Sequence, residues 1–347
     1  MARKIIWASL ALAPFAVLVH YLLHPGETVD FVLAAAALIP LAWLIGEATE
    51  HAAHHTGPGI GGFLNATFGN APELIIALFA VAAGSFEVVR GSLSGSVIGN
   101  LLLVLGFSLL FGGRGALDRQ SSFVSLGLVA LASLLFLIPA IPGWDEDDPE
   151  ARFIAHLSIV PSLILLVIYV AITYVTLRRH RMLHVSDEPG DMRAWSLRTA
   201  VAVLLGATVI TALIAEILVH AIDVFSEDIG VSEFFLAAVV VAIVGNAAEH
   251  GGAVVVAYRG KIKLAAEIAL ASSAQVAVFL IPAVALLSWL IDPLALSFRQ
   301  VEIAALAGAT LLAGALLYDG RSSRLKGAVL VAGYVGVAVA FFIAGDR

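Results

Sequence analysis

The sequence predicts an all-α polytopic membrane protein of eleven transmembrane helices: one N-terminal helix, then two inverted five-helix repeats. Three observations predict it. The 347 residues are 61% hydrophobic and only 13% charged, with a mean hydropathy of +1.00, whereas a soluble domain carries about 25% charged residues. Eleven apolar runs are separated by charged or Gly/Pro-rich breaks. Finally, the chain matches itself in three places, in the same order in both halves.

The runs fall at 5–23, 29–50, 63–84, 89–111, 121–141, 153–177, 197–222, 232–257, 262–291, 298–318 and 325–344. Each is close to the roughly 20 residues that cross a bilayer as a helix. Helices are expected because backbone groups in hydrocarbon must bond within their own segment, and barrel strands would be half as long and alternate. The first run follows Arg3 and Lys4 and resembles a signal peptide, but its apolar stretch is too long and no small-x-small cleavage site precedes Thr28, so it reads as a retained span. The organisation that results is an N-terminal helix (1–28), a first repeat (29–177), a linker (178–196) and a second repeat (197–347).

Charge placement supports this count. With the N-terminus in the cytoplasm, 15 of the 19 basic residues fall on the inner side, leaving Arg90, Arg152, Arg299 and Arg347 outside, as basic residues in short loops mark the cytoplasmic face. An odd number of spans puts the C-terminus outside, and the expected location is a prokaryotic plasma (inner) membrane. Acidic clusters lie in outer segments: Asp145-Glu146-Asp147-Asp148-Pro149-Glu150, and the group Asp223, Glu227, Asp228 and Glu233. They read as solvated loop surface. The absence of cysteine excludes disulfides, thiolate metal sites and a cysteine nucleophile. A net charge of −7 gives no reason to expect nucleic acid.

The repeat is visible in three correspondences. Gly69-Asn70-Ala71-Pro72-Glu73 matches Gly245-Asn246-Ala247-Ala248-Glu249, and Gly95-Ser96 matches Ala271-Ser272, both at an offset of 176. Leu44-Ile45-Gly46-Glu47 and His51 match Leu213-Ile214-Ala215-Glu216 and His220 at an offset of 169. Five spans per unit force the second unit to enter the bilayer from the opposite side, the architecture with which many secondary transporters place substrate at the midplane between halves.

Glu73 and Glu249 carry the chemistry. An ionised carboxylate at the bilayer centre costs at least about 2.5–3.5 kcal/mol, and two at matched positions are hard to explain as packing alone. Gly69 and Gly245 weaken the helix and Asn70 and Asn246 offer side-chain oxygens. Pro72 lacks an N–H and clashes with the carbonyl of Phe68, opening the helix beside the carboxylate. Hard oxygens of this kind suit Ca²⁺. Pro72 is matched by Ala248, so the two breaks are expected to differ in depth. Ser96, Ser272, Asn100 and Gln275 supply further oxygens, with helix–helix hydrogen bonding as the alternative for the first three. His250 either carries a proton or orients Glu249, or is a satisfied core histidine. Glu47 and Glu216 line a proton path or a polar wall. Glu50, His51, His54 and His55 form either a metal or pH-sensing cluster or a solvated helix end. Glu267 and Glu302, near helix ends, are expected to be solvated or paired locally.

The stretch Gly69 to Leu78 and the stretch Gly245 to His250 resemble the two signature repeats of the calcium/proton exchanger branch of the calcium/cation antiporter superfamily. Asn65-Ala66-Thr67-Phe68 and Ser272-Ser273-Ala274-Gln275 are similar to that branch as well, and the likeness extends to the number and order of spans. It implies that Glu73 and Glu249 are the calcium carboxylates, assisted by carbonyls near Gly69 and Gly245. It implies a secondary antiporter, not an enzyme, without a cofactor, whose partners are Ca²⁺ and H⁺ within a lipid bilayer; a homo-oligomer is compatible with the sequence. Gly99, where many members carry a hydroxyl residue, departs from the pattern and weakens a ligand role around Asn100. The basic linker departs from the acidic segment of eukaryotic relatives. The rival readings are exchange of Na⁺ for Ca²⁺ or of another cation, a passive channel, and an intramembrane metalloprotease built on His51-Ala52-Ala53-His54-His55.

Overall fold

The computed structural model describes residues 2–145, 150–182 and 195–346, and their side chains except at 2–4, 57–63, 65–66, 145 and 176–182. Most of the acidic run at 145–150 and of the linker at 178–196 lies outside the described residues. The chain opens with α1 (Ala2–Ser9) and α2 (Leu12–Leu18), followed by a π-helical turn at Val19–Leu23. Then come α3 (Glu27–Phe68), α4 (Ala71–Ala82), α5 (Phe86–Ile98), a π turn at Gly99–Val104 and α6 (Leu105–Gly112). After the short strand β1 (Gly115–Ala116) follow α7 (Arg119–Asp145), α8 (Arg152–Met182), α9 (Leu197–Ile229) and α10 (Glu233–Phe235). A π turn at Leu236–Val241 leads into α11 (Ala242–Gly245), α12 (Ala247–Tyr258) and α13 (Ile262–Gln275). A further π turn at Val276–Leu280 precedes α14 (Ile281–Leu287) and a 3₁₀ turn at Ser288–Leu290. The chain ends with α15 (Gln300–Leu317), strand β2 (Arg321–Ser322) and α16 (Arg324–Ala344).

Among the described residues nine helices are long and apolar enough to cross a membrane, or ten if the bent pair Glu233–Gly245 and Ala247–Tyr258 is one span. The span expected at 63–84 accounts for the difference from eleven. Helix α3 runs on without interruption to Phe68, and α4 alone has 12 residues, about 18 Å at the helical rise, so a span here through a hydrocarbon core of roughly 30 Å has to include the end of α3. The molecule is also not purely helical. β1 and β2 pair antiparallel, Gly115 opposite Ser322 and Ala116 opposite Arg321. Ser322 Oγ ties this ribbon down by donating to Gly113 O at 2.7 Å.

Packing places the two halves face to face. Helix α3 packs most extensively on α9, and the contacts of the short helices are reciprocal: α4 lies on α9 and α12 on α3. The first half of the fourth span is enclosed on every side, since residues 88–98 are all buried. It crosses the π turn at Leu236–Val241 so closely that a Cβ on Gly95 would lie 2.1 Å from the Ala238 carbonyl oxygen; only glycine permits that backbone contact.

The ribbon region is held by ionic contacts. Lys326 Nζ lies 2.5 Å from Asp319 Oδ1, and the Arg321 amide donates to the same oxygen at 2.9 Å. This donation by Lys326, then that by the Arg321 amide, holds the Asp319 carboxyl below its ordinary value. Asp118 is likewise lowered, first by the Ser121 amide and then by Lys263, whose Nζ is 3.1 Å away.

Candidate functional site

Each signature motif breaks its helix at the asparagine, the first break spanning Gly69 and Asn70 and the second Asn246 alone. Helix α3 ends at Phe68, Asn70 has φ −94° and ψ 13°, and α4 starts at Ala71. In the second motif α11 ends at Gly245, Asn246 has φ −93° and ψ 6°, and α12 starts at Ala247, bent 61° from the helix before it. The breaks are unequal in extent, two residues where Pro72 follows and one where Ala248 does, although the two asparagines take up nearly the same dihedrals. Both asparagines occupy the sparsely allowed bridge region between strand and helix, and the second does so with Ala248 in place of proline. Each short helix then restarts with its asparagine carbonyl accepting from the amide four residues on, Leu74 N at 3.0 Å and His250 N at 3.0 Å.

The restart fixes where the carboxylates sit. Glu73 and Glu249 are the third residues of α4 and α12, in the first turn of each. There the free amides and the positive end of the helix dipole favour an anion. The two side chains are close enough for their charges to interact. Glu73 reaches across the gap to the opposite break, where a Cβ on Gly245 would lie 3.1 Å from Glu73 Cγ. The absent side chain of Gly245 is the space that Glu73 fills. Glu73 is 7% exposed, and its Oε2 has no hydrogen-bond partner among the described residues.

Hydroxyls and amides from both halves surround the pair. Asn246 Nδ2 donates to Ser96 Oγ at 2.8 Å and to Ala242 O at 3.0 Å. Ser272 Oγ donates to Glu249 Oε2 in a short hydrogen bond and accepts from Asn100 Nδ2 at 3.1 Å. Asn70, Asn246, Ser96 and Asn100 are each 1% exposed and Ser272 4%. Glu73, Ser92 and Ser96 line a cavity of about 10 Å³ closed by Ile76, Leu93, Val241 and Ala242, room for about one water. Gln275 is half-buried one turn beyond Ser272, at the end of α13. Gly69 lies between α3 and α4, at the first break.

The remaining candidates divide. His250 follows Glu249, and its Nε2 is enclosed without a partner among the described residues. Glu47 sits beside His51 at 3.7 Å, and Glu216 is half-buried on α9. The histidine group does not form a metal centre. His51 stacks on Trp195, with ring centroids 4.5 Å apart, and His55 Nε2 lies 2.7 Å from Trp195 O. Glu50 and His54 are exposed, and no three metal-ligating side chains gather there or elsewhere among the described residues. Glu267 is part-exposed beside Lys263 at 3.9 Å.

Sequence reasoning missed one buried cluster. Arg90, assigned to an outer loop, is 1% exposed, and Glu302 is fully buried. Arg90 Nη1 donates to Glu150 Oε1 at 2.5 Å and to Ala295 O at 3.3 Å. Glu302 accepts from Ser94 Oγ at 2.8 Å and from the Arg299 amide at 2.8 Å, and the Arg90 charge acts on it favourably. The available signal was Arg90 at the edge of a run rich in Gly and Ser, which has no lipid-facing side.

The model of the sodium/calcium exchanger protein family matches residues 27–178 and 199–343. The chain belongs to that family. Over 333 residues it is 39% identical to the Ca(2+)/H(+) antiporter ChaA of Bacillus subtilis (strain 168), covering 93% of this chain and 94% of that protein. It is 37% identical over 325 residues to the vacuolar calcium ion transporter of Schizosaccharomyces pombe, covering 90% of this chain and 78% of the other. The solved structure of native YfkE superposes with a TM-score of 0.83 at 36% identity, over 97% of this chain and 99% of that one. The H+/Ca2+ exchanger CAX shares the fold, with a TM-score of 0.74 at 16% identity over 99% of this chain and 92% of that one.

Proposed function

We propose that the chain is a secondary antiporter that exports Ca²⁺ from the cytoplasm in exchange for H⁺, with Glu73 and Glu249 as the carboxylates that both ions share. One observation supports the reading: Glu73 and Glu249 each lie on the first turn of a helix that restarts after a break, and Glu73 packs against Gly245 of the opposite break. Relatives named Ca(2+)/H(+) antiporters, 39% identical in one case, support the choice of ions. The site would bind Ca²⁺ through the two carboxylates, the hydroxyls of Ser96 and Ser272, the Gln275 and asparagine oxygens, and carbonyls at Gly69 and Gly245, the hard-oxygen set this ion prefers.

Coupling follows from charge. The ionised pair is neutralised either by one divalent cation or by two protons, and the bare pair pays about 2.5–3.5 kcal/mol per charge at the bilayer centre. Only loaded or protonated forms then change their facing direction, and the two fluxes are linked. His250, Glu47 and Glu216 would relay protons. The reading includes eleven spans as one helix and two inverted five-helix repeats, the N-terminus in the cytoplasm and the C-terminus outside. It includes a prokaryotic plasma membrane and no enzymatic activity or cofactor.

The test is proton-gradient-driven uptake of radiolabelled calcium in inverted vesicles. Glu73→Gln and Glu249→Gln should each abolish uptake, and retained uptake in either rejects the site. The family is named for sodium/calcium exchange, so the same assay with an imposed sodium gradient and no proton gradient separates that second reading.

A further inference from the structure

Away from the buried centre, basic side chains collect where the end of α6 meets the start of α16. Four cations, Arg114, Arg321, Arg324 and Lys326, and one carboxylate, Asp319, line two adjoining clefts of about 410 and 670 Å³ that share Arg114 and Ser323. The carboxylate is already engaged. Lys326 Nζ and the Arg321 amide both donate to Asp319 Oδ1, and the Arg321 charge acts on it as well. Arg114 and Arg324 have no acceptor among the described residues. Like charges gathered around one opening repel unless an anion joins them.

The floor of the clefts is rigid. Strands β1 and β2 pair across it, and the buried Ser322 hydroxyl bonds to Gly113 O at 2.7 Å and Gly115 O at 3.2 Å. The Leu117 amide donates to Gly320 O at 2.8 Å. Beneath the ribbon α6 and α16 touch through backbone, since a Cβ on Gly327 would lie 2.6 Å from Gly106 O. Guanidinium groups carried on such a floor suit a phosphate, whose oxygens they meet two at a time.

The rim indicates which phosphate. Leu325, which lines the larger cleft, is 75% exposed, Tyr318 after α15 is 64% exposed and Phe111 near the end of α6 is 54% exposed. The Arg119 guanidinium lies over the Tyr318 ring, 4.5 Å from its centroid. Three apolar spans, Phe86–Gly112, Gln300–Leu317 and Arg324–Ala344, begin or end within a few residues of the clefts. The cations therefore stand at the level of the lipid headgroups and the exposed apolar side chains at the level of the acyl chains. Basic pockets between helices at a membrane surface bind anionic headgroups. We propose that the clefts beside the β1–β2 ribbon hold the phosphate headgroup of one anionic phospholipid, with Arg114 and Arg324 as its main ligands and Leu325 against its acyl chain. The site is separate from Glu73 and Glu249 and holds whichever cation the chain exchanges.

The experiment uses the full chain, purified in a neutral detergent and titrated with phosphatidylglycerol or, separately, with phosphatidylcholine, bound lipids being counted by native mass spectrometry. Phosphatidylglycerol should fill one tight site that phosphatidylcholine does not. Arg114→Gln and Arg324→Gln should each weaken that binding about fivefold, the size of one basic contact with an anionic headgroup, and the double variant should weaken it further. Arg259→Gln, at an exposed basic position outside the clefts, should leave it unchanged. Millimolar inorganic phosphate should not displace the lipid. Undiminished binding in the double variant, or equal weakening by Arg259→Gln, overturns the proposal, and displacement by inorganic phosphate overturns the choice of a lipid. Both arginines are exposed; should their variants nevertheless fail to fold, equal binding of the two lipids to the parent overturns the proposal alone.

Discussion

Replacing Gly95 by alanine tests whether the two halves touch through backbone alone. The added Cβ would lie 2.1 Å from the Ala238 oxygen, 2.7 Å from its carbonyl carbon and 2.8 Å from its Cα. Ordinary contact starts at 3.4 Å, so α5 and the π turn at Leu236–Val241 must separate by about 1.3 Å. No flexible side chain is available to yield. The displacement acts on the neighbouring residue, because Ser96 accepts from Asn246 at 2.8 Å, and the same separation carries that bond beyond hydrogen-bonding range. Overpacking costs about 1–3 kcal/mol and the loss of one hydrogen bond about 0.5–1.5 kcal/mol, Asn246 keeping its bond to Ala242 O, together about 1.5–4.5 kcal/mol. Thermal unfolding of the purified protein and proton-driven calcium uptake are the assays, and both should fall. Gly99→Ala, in a position with nothing within 4 Å, is the control and should stay within about 0.5 kcal/mol of the parent. A Gly95→Ala protein with parental melting and uptake would refute the reasoning.

Arg90→Met should destabilise by about 3–5 kcal/mol, because it breaks the ion pair of the buried guanidinium with Glu150 and removes that carboxylate's counter-ion; adding Glu150→Gln should recover part of that in thermal melts. The lowered carboxyls of Asp118 and Asp319 predict a pH dependence with a definite sign. Their stabilisation is complete above the ordinary value of 3.8 and is lost as pH falls through the lower folded-state values. Melting of the parent relative to Asp118→Asn and Asp319→Asn should therefore be flat near neutrality and converge only in the acid range below 3.8.

The elements legible in the sequence are those that one-dimensional patterns determine. Run length and flanking charge located the long helices, and the 176-residue offset brought Glu73 and Glu249 to attention before any geometry. Proline explains only part of the breaks: Asn70 and Asn246 take up nearly the same dihedrals although only one precedes an Ala-Pro pair, while the break that Pro72 follows is one residue longer. Arg90 was misread because position near a span end says nothing about enclosure by neighbouring helices; Glu302 is paired locally as expected, with the Arg299 amide, and only its full burial escaped the sequence. Asn100 read as an oxygen donor to a cation; its role as a hydrogen-bond donor depends on where Ser272 points, which is a matter of three dimensions. Gly245 was assigned for its carbonyl, whereas the close approach of Glu73 makes its missing side chain equally important.

The π turns at Gly99–Val104 and Val276–Leu280 follow directly on Ile98 and Gln275, at nearly the repeat spacing. Each loop of this wider coil accommodates one surplus residue compared with the α form. Removing that residue would restore regular winding and leave the remainder of the helix facing as before, because the wide turn absorbs the roughly 100° that one extra residue adds. For α6 the enclosed Leu105 and Leu109 would stay inside and Phe111 would stay outward. When related chains are aligned, a single-residue gap at either location therefore marks a turn rewound in place, and the side chains beyond it keep their faces.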